Sequence, residues 1–228
     1  MVDNDQGNRV ASIYNTRGDK VNDTAAKYAW QSSAEQRMAR QLMLDSPHLG
    51  LENVEVLRNN VSASSNKLCA FNTLAQAMEQ VWKGEPMTPA EEKAQVEFLI
   101  DFWDELVAVR PEFGRLSTER RKKVRGSSIA GTALSVYGMI FVANLLYQHG
   151  IDPATVLPRL NKQMTIGGKK TDYFSYDNPV WVRIGVLTLA EDKEGNERKQ
   201  LRVSFPSRRA MADELRRKLN MDDEISAA

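Results

Sequence analysis

Several absences bound what this chain can be. It has one cysteine, Cys69, so an intramolecular disulfide is excluded and a reducing compartment is expected. It has two histidines, His48 and His149, in helix-end contexts with no second ligand at metal spacing, so no metal site and no cofactor are expected. Charge of either sign is not in excess. With 31 Lys and Arg against 30 Asp and Glu the net charge is +1, and a nucleic acid or membrane would have to be met by a local patch. The first residues, Met1 to Arg17, are polar and contain no apolar core of a signal peptide, so a cytoplasmic location is expected. No nucleophile, base and orienting group can be assembled from the sequence, and no catalytic role is expected. Gly167-Gly168-Lys169-Lys170 lacks the remainder of a phosphate-loop pattern and reads as a mobile loop.

What is present centres on one junction. Glu119-Arg120-Arg121-Lys122-Lys123-Val124-Arg125 is a dense basic run, and residues 127–148 then carry no Asp, Glu, Lys or Arg. An uncharged stretch of that length belongs in a membrane or in a protein core. Thr132, Ser135, Asn144 and Gln148 interrupt it, and its strongly apolar part, Leu134 to Tyr147, is shorter than the roughly 20 residues of a span. The stretch therefore reads as a buried central helix. Gly131, Ser135 and Gly138 become small positions where neighbouring helices approach.

The rest is mostly helical. Asp23 and Ser33 are candidate N-caps for two helices, the second ending before Pro47. Leu51 to Val61 reads as a short strand or extended link. Leu68 to Trp82 carries apolar residues at helical spacing, and Gly84-Glu85-Pro86 ends it. Thr88-Pro89-Ala90-Glu91 opens a helix that runs to Arg110, before Pro111. Val180 to Ala190 and Leu201 to Phe205 predict a β-hairpin around a turn at 192–196. Pro206-Ser207 then opens a last helix through Leu219. The expected fold is mainly α: a helical domain (21–220) around a buried central helix, with a small β-hairpin at about 180–205 followed by a helix. Residues 1–20 are expected to be flexible or a truncated lead, and 221–228 a disordered tail.

For function, the basic features weigh most. Arg120, Arg121, Lys122, Lys123 and Arg125 do not alternate with acids as a solvated helix face usually does. Lys169 and Lys170, and Arg208 and Arg209 at the start of the last helix, add to them. Together these nine residues are the candidate contacts to a DNA backbone. Two alternatives stay open. One is a protein-interaction module docking through an apolar residue such as Trp103 or Trp181. The other, weaker, is a metal-dependent nuclease using Asp101, Asp104 or Glu105.

Several segments in order look like a known group. Ala11-Ser12-Ile13-Tyr14-Asn15-Thr16, Ser65 to Leu74, Phe102-Trp103, Ile129 to Gly138 and Asn178-Pro179-Val180-Trp181 resemble segments in the C-terminal part of the DGQHR-domain proteins. That group includes the DndB-type DNA sulfur modification proteins. The Asp-Gly-Gln-His-Arg string is itself absent, and any activity tied to it is not implied. The resemblance implies an accessory or regulatory role, associated with DNA, in phosphorothioate modification or phage defence. Other DNA-modification proteins would be partners, a membrane would not, and a homo-oligomer is left open.

Overall fold

A computed structural model describes residues 22–82, 87–161, 163–191 and 197–227. The expected lead at 1–20, the helix stop at Gly84-Glu85-Pro86 and the hairpin turn at 192–196 lie outside them.

The described chain is mainly α. It begins with α1 (Asp23–Trp30), α2 (Ala34–Asp45) and a single turn, α3 (Gly50–Asn53). Asn22, one residue before the expected cap, accepts from the Thr24 amide at 2.9 Å. Ser33 caps α2 as expected. Two short parallel strands, β1 (Val54–Glu55) and β2 (Cys69–Ala70), pair Val54 with Cys69 and Glu55 with Ala70. The second leads directly into α4 (Phe71–Val81). In α5 (Pro89–Val109), the Glu91 amide donates to Thr88 Oγ1 (3.3 Å) and the Thr88 amide to Glu91 Oε2 (2.7 Å). Pro89 at the first turn and Pro111 beyond the end fix its limits.

The basic run forms α6 (Thr118–Ser127), capped by Ser117. The uncharged stretch does not form one helix from Ser127 onward. Ser128 Oγ accepts from the Ala130 amide (3.1 Å) and opens a 3-10 turn at Ile129–Gly131. Thr132 then caps Ser135 and starts α7 (Ala133–Gln148). Hydroxyls that bond nearby backbone amides compete with a continuous helix, and here they redirect the chain twice. Helix α7 is the expected buried centre: Leu134, Val136, Met139, Ile140, Val142, Ala143 and Leu146 are fully buried. No helix among the described residues is long and apolar enough to cross a membrane.

Past α7 come the turn α8 (Pro153–Val156) and a 3-10 turn at Leu157–Asn161. The segment read as a mobile Gly-Gly-Lys-Lys loop is a tight hairpin of β3 (Met164–Ile166) and β4 (Lys169–Thr171). Gly167 and Gly168 sit at φ +54° and +79°, the left-handed pair that a two-residue hairpin turn requires. The C-terminal hairpin is also shorter than expected. Val180–Arg183 is a helical turn, α9, and the pairing is confined to β5 (Leu187–Glu191) and β6 (Glu197–Leu201). Helix α10 (Phe205–Lys218) starts at Ser204 instead of Pro206-Ser207 and packs across α7. A Cβ built on Gly138 would lie 2.6 Å from Leu215 Cδ1, so the close approach expected at that small residue is real. The tail expected to be disordered contains α11 (Met221–Ala227). Met221 is buried, and Arg159 binds both the Leu219 carbonyl and Glu224.

Candidate nucleic-acid interface

Helix α6 separates the basic run into two sets. Arg120, Lys122 and Lys123 are exposed and make no ion pair among the described residues. Arg121 is fully buried. Its guanidinium donates to Glu112 O (2.5 Å), Gly114 O (2.6 Å), Asn66 O (3.0 Å) and Asn53 Oδ1 (3.1 Å). Burial, with Arg125 nearby, pushes its pKa down to about 10, which leaves it charged at neutral pH. A guanidinium with four protein acceptors and no solvent exposure has nothing to offer a phosphate, so the expected DNA contact at Arg121 is corrected to a structural one.

Arg125 is intermediate. It binds the carbonyls of Ser62 (3.0 Å), Ser65 (2.8 Å) and Lys67, tying the 62–67 loop to α6. Burial lowers its pKa as well. Arg208 is half-buried and lies over the Tyr137 ring, 3.8 Å from its centroid. Arg209, Lys169 and Lys170 are exposed, the two lysines on the separate β3–β4 hairpin.

Arg125 and Arg208, far apart in sequence, meet at one cleft of about 510 Å³. Its walls come from the 59–61 loop, Ala70 at the end of β2, the start of α4 (Asn72, Thr73, Gln76), the turn into α7 (Gly131 to Ala133) and Tyr137, Tyr176 and Val203. No Asp or Glu lines it among the described residues. The first turn of α4 has no side-chain cap, so backbone N–H groups there lack intrahelical acceptors. Tyr137 donates to Gln76 Oε1 at 2.5 Å, and burial pushes its hydroxyl up to about 12. Two atoms of its lining residues that are shut away from solvent, Asn72 Oδ1 and Arg208 Nε, have no partner among the described residues. A second cleft, of about 780 Å³, shares Arg125 and Tyr176 with the first and continues onto β5–β6 with Arg198 and Lys199, where Asp177, Glu191 and Glu197 also stand.

Of these lining residues, the basic-run reading found only Arg125 and Arg208. Tyr176 is placed by the Asn178-Pro179-Val180-Trp181 segment. Asn178 Nδ2 donates to Tyr173 O (2.7 Å) and its Oδ1 accepts from Val180 (3.1 Å), while the Tyr176 amide donates to Ser127 O (2.9 Å). The motif therefore builds a loop against the end of α6.

The residues named for the alternatives lie elsewhere. Trp103 and Trp181 are fully buried, with indole N–H groups on Phe113 O (3.4 Å) and Tyr173 O (2.9 Å), so neither is a docking face. Asp101 and Glu105 are exposed, and Asp104 lies 3.4 Å from His48. Among the described residues no group of three or more His, Cys, Asp or Glu could hold a metal ion.

Fold and cleft define a mainly α domain with exposed cations on a rigidly anchored helix and an acid-free cleft behind it. The chain belongs to the DndB family, described as DNA-sulfur modification-associated, which matches residues 24–221. That places it among proteins associated with DNA sulfur modification. No curated protein and no solved structure matches it.

Proposed function

We propose that this protein is an accessory or regulatory factor of DNA sulfur modification that holds the DNA backbone through the outer face of α6. The observation that carries this is the division within the basic run. Arg121 and Arg125 fix the helix to the body, and Arg120, Lys122 and Lys123 stand exposed with no acidic partner among the described residues. Unpaired cations on a rigid helix neutralise phosphates at low ordering cost. Lys169, Lys170 and Arg209 are further backbone contacts if the duplex extends to them.

The test is fluorescence anisotropy of a labelled duplex across a salt series, with wild type and the Arg120→Ala/Lys122→Ala/Lys123→Ala variant. Three lost phosphate contacts make the slope of log K against log salt shallower by about 2.7, at 0.9 per contact. An unchanged slope and affinity in the triple variant would falsify the reading.

A further inference from the structure

The acid-free cleft combines features that the backbone reading leaves unused. Its lining holds the Arg208 guanidinium, Arg125 committed to loop carbonyls, and the uncapped start of an eleven-residue helix, with no carboxylate among the described lining residues. A helix N-terminus and Arg side chains together favour an anion. Thr73, in that first turn, lines the cleft at 9% exposure. The same walls carry Tyr137, Tyr176, Asn72 and Gln76, which supply ring faces and amide groups. Two buried polar atoms of lining residues, Asn72 Oδ1 and Arg208 Nε, have no partner among the described residues. Of seven such atoms among the described residues, these two share one cleft, where a ligand would supply the complement. The volume of about 510 Å³ falls within the roughly 300–1,000 Å³ of small-molecule sites.

We propose that this cleft is a nucleoside-phosphate site, in which Arg208 and the first turn of α4 hold the phosphate, Arg125 forms a fixed wall, and Tyr137, Tyr176, Asn72 and Gln76 receive the base. Amides present both a donor and an acceptor, which suits the edge of a base, and an aromatic ring suits its face. The nucleoside phosphate can come from two sources: a free nucleotide or one nucleotide of a DNA strand turned out of its stack. The cleft needs no contact with the outer face of α6.

The deciding variant is Asn72→Asp. It is nearly isosteric, and the favourable interaction of a negative charge with the first turn of α4 offsets the cost of desolvating it, so the protein still folds, which thermal melting checks. In an anion site the same charge repels the phosphate. Titration calorimetry with the four deoxynucleoside monophosphates, and fluorescence anisotropy with a short single-stranded oligonucleotide, are run on wild type, Asn72→Asp, Arg208→Ala and the α6 triple variant. The expected result is binding that weakens about tenfold or more in Asn72→Asp and Arg208→Ala and is retained by the α6 variant for mononucleotides. Mononucleotide binding identifies a free nucleotide as the ligand. Oligonucleotide binding alone, sensitive to Asn72→Asp, identifies a strand-held one. The proposal is overturned if neither probe binds wild type, or if both bind Asn72→Asp as tightly as wild type. Because the α6 variant tests backbone contact and Asn72→Asp tests the cleft, failure of one reading is separable from failure of the other.

Discussion

Two adjacent arginines should give opposite phenotypes. Removing Arg121 leaves the carbonyls of Glu112, Gly114 and Asn66 without the guanidinium they accept from, while Asn53 Oδ1 keeps the Leu68 amide at 3.1 Å. Each buried acceptor left open costs about 1–3 kcal/mol, and the losses are not additive. With three buried carbonyls left open, about 3–5 kcal/mol is the expected destabilisation of Arg121→Ala. At about 2–4 °C per kcal/mol for a chain of this size, the melting temperature falls by about 6–20 °C. Arg121→Lys keeps the charge, but three donors on one point cannot fork across separated carbonyls, so it recovers part of the loss only. Arg120→Ala, on an exposed side chain, changes stability by less than about 0.5 kcal/mol. It weakens duplex binding instead. Thermal melting by circular dichroism and anisotropy on one duplex read both effects. An Arg121→Ala protein that melts like wild type while losing DNA affinity would place Arg121 on the surface and sink the division of α6.

Two further perturbations test the core. Burial pushes the Cys69 thiol from 9.0 up to about 12. The folded value lies above the unfolded one, so this contribution is complete below pH 9 and falls by about 1.4 kcal/mol per pH unit between 9 and 12. Cys69→Ala should flatten the alkaline limb of a stability–pH profile, and native Cys69 should react with a thiol reagent only as fast as the protein opens; immediate native labelling would contradict its burial. Gly138→Val drives methyl groups into Leu215 and Met211 where α7 and α10 cross, for a loss of about 1–3 kcal/mol by chemical denaturation. Adding Leu215→Ala should give a double-mutant cost below the sum of the singles, and strict additivity would refute the contact.

The helical frame was legible because its signals are local. The Thr88–Glu91 box, Pro89, Ser33, and the uncharged stretch all act within a turn or along one helix. What was misplaced depends on partners far along the chain. Val180–Arg183 has strand-forming residues, yet Asn178 bonds forward to the Val180 amide and Trp181 must reach Tyr173 O, which bends the segment into a turn. Residues 221–227 look polar and terminal, yet Met221 is buried and Arg159 holds Glu224. The Gly167-Gly168 pair reads in sequence as a mobile loop, whereas in the fold it is a hairpin corner.

The site was harder to read, for a reason visible in α6 itself. From Thr118 to Ser127 its one large apolar residue is Val124. A helix with so little to bury can still dock if long cationic side chains lay their stems inward and their heads find carbonyls. Arg121 and Arg125 stand four residues apart, on one face, and do this. Cation density alone cannot distinguish such anchors from ligand contacts; the spacing of cations on an apolar-poor helix can, because some of them must face the protein. Arg125 also shows the two roles are not exclusive. It fastens the 62–67 loop, which leads through Leu68 to Ala70 into the first turn of α4, and it lines the cleft that this turn helps to form. The basic run therefore contributes to the candidate site by the cations it hides as well as by those it displays: without the inward pair, neither the outer face of α6 nor the acid-free cleft behind it has a fixed wall.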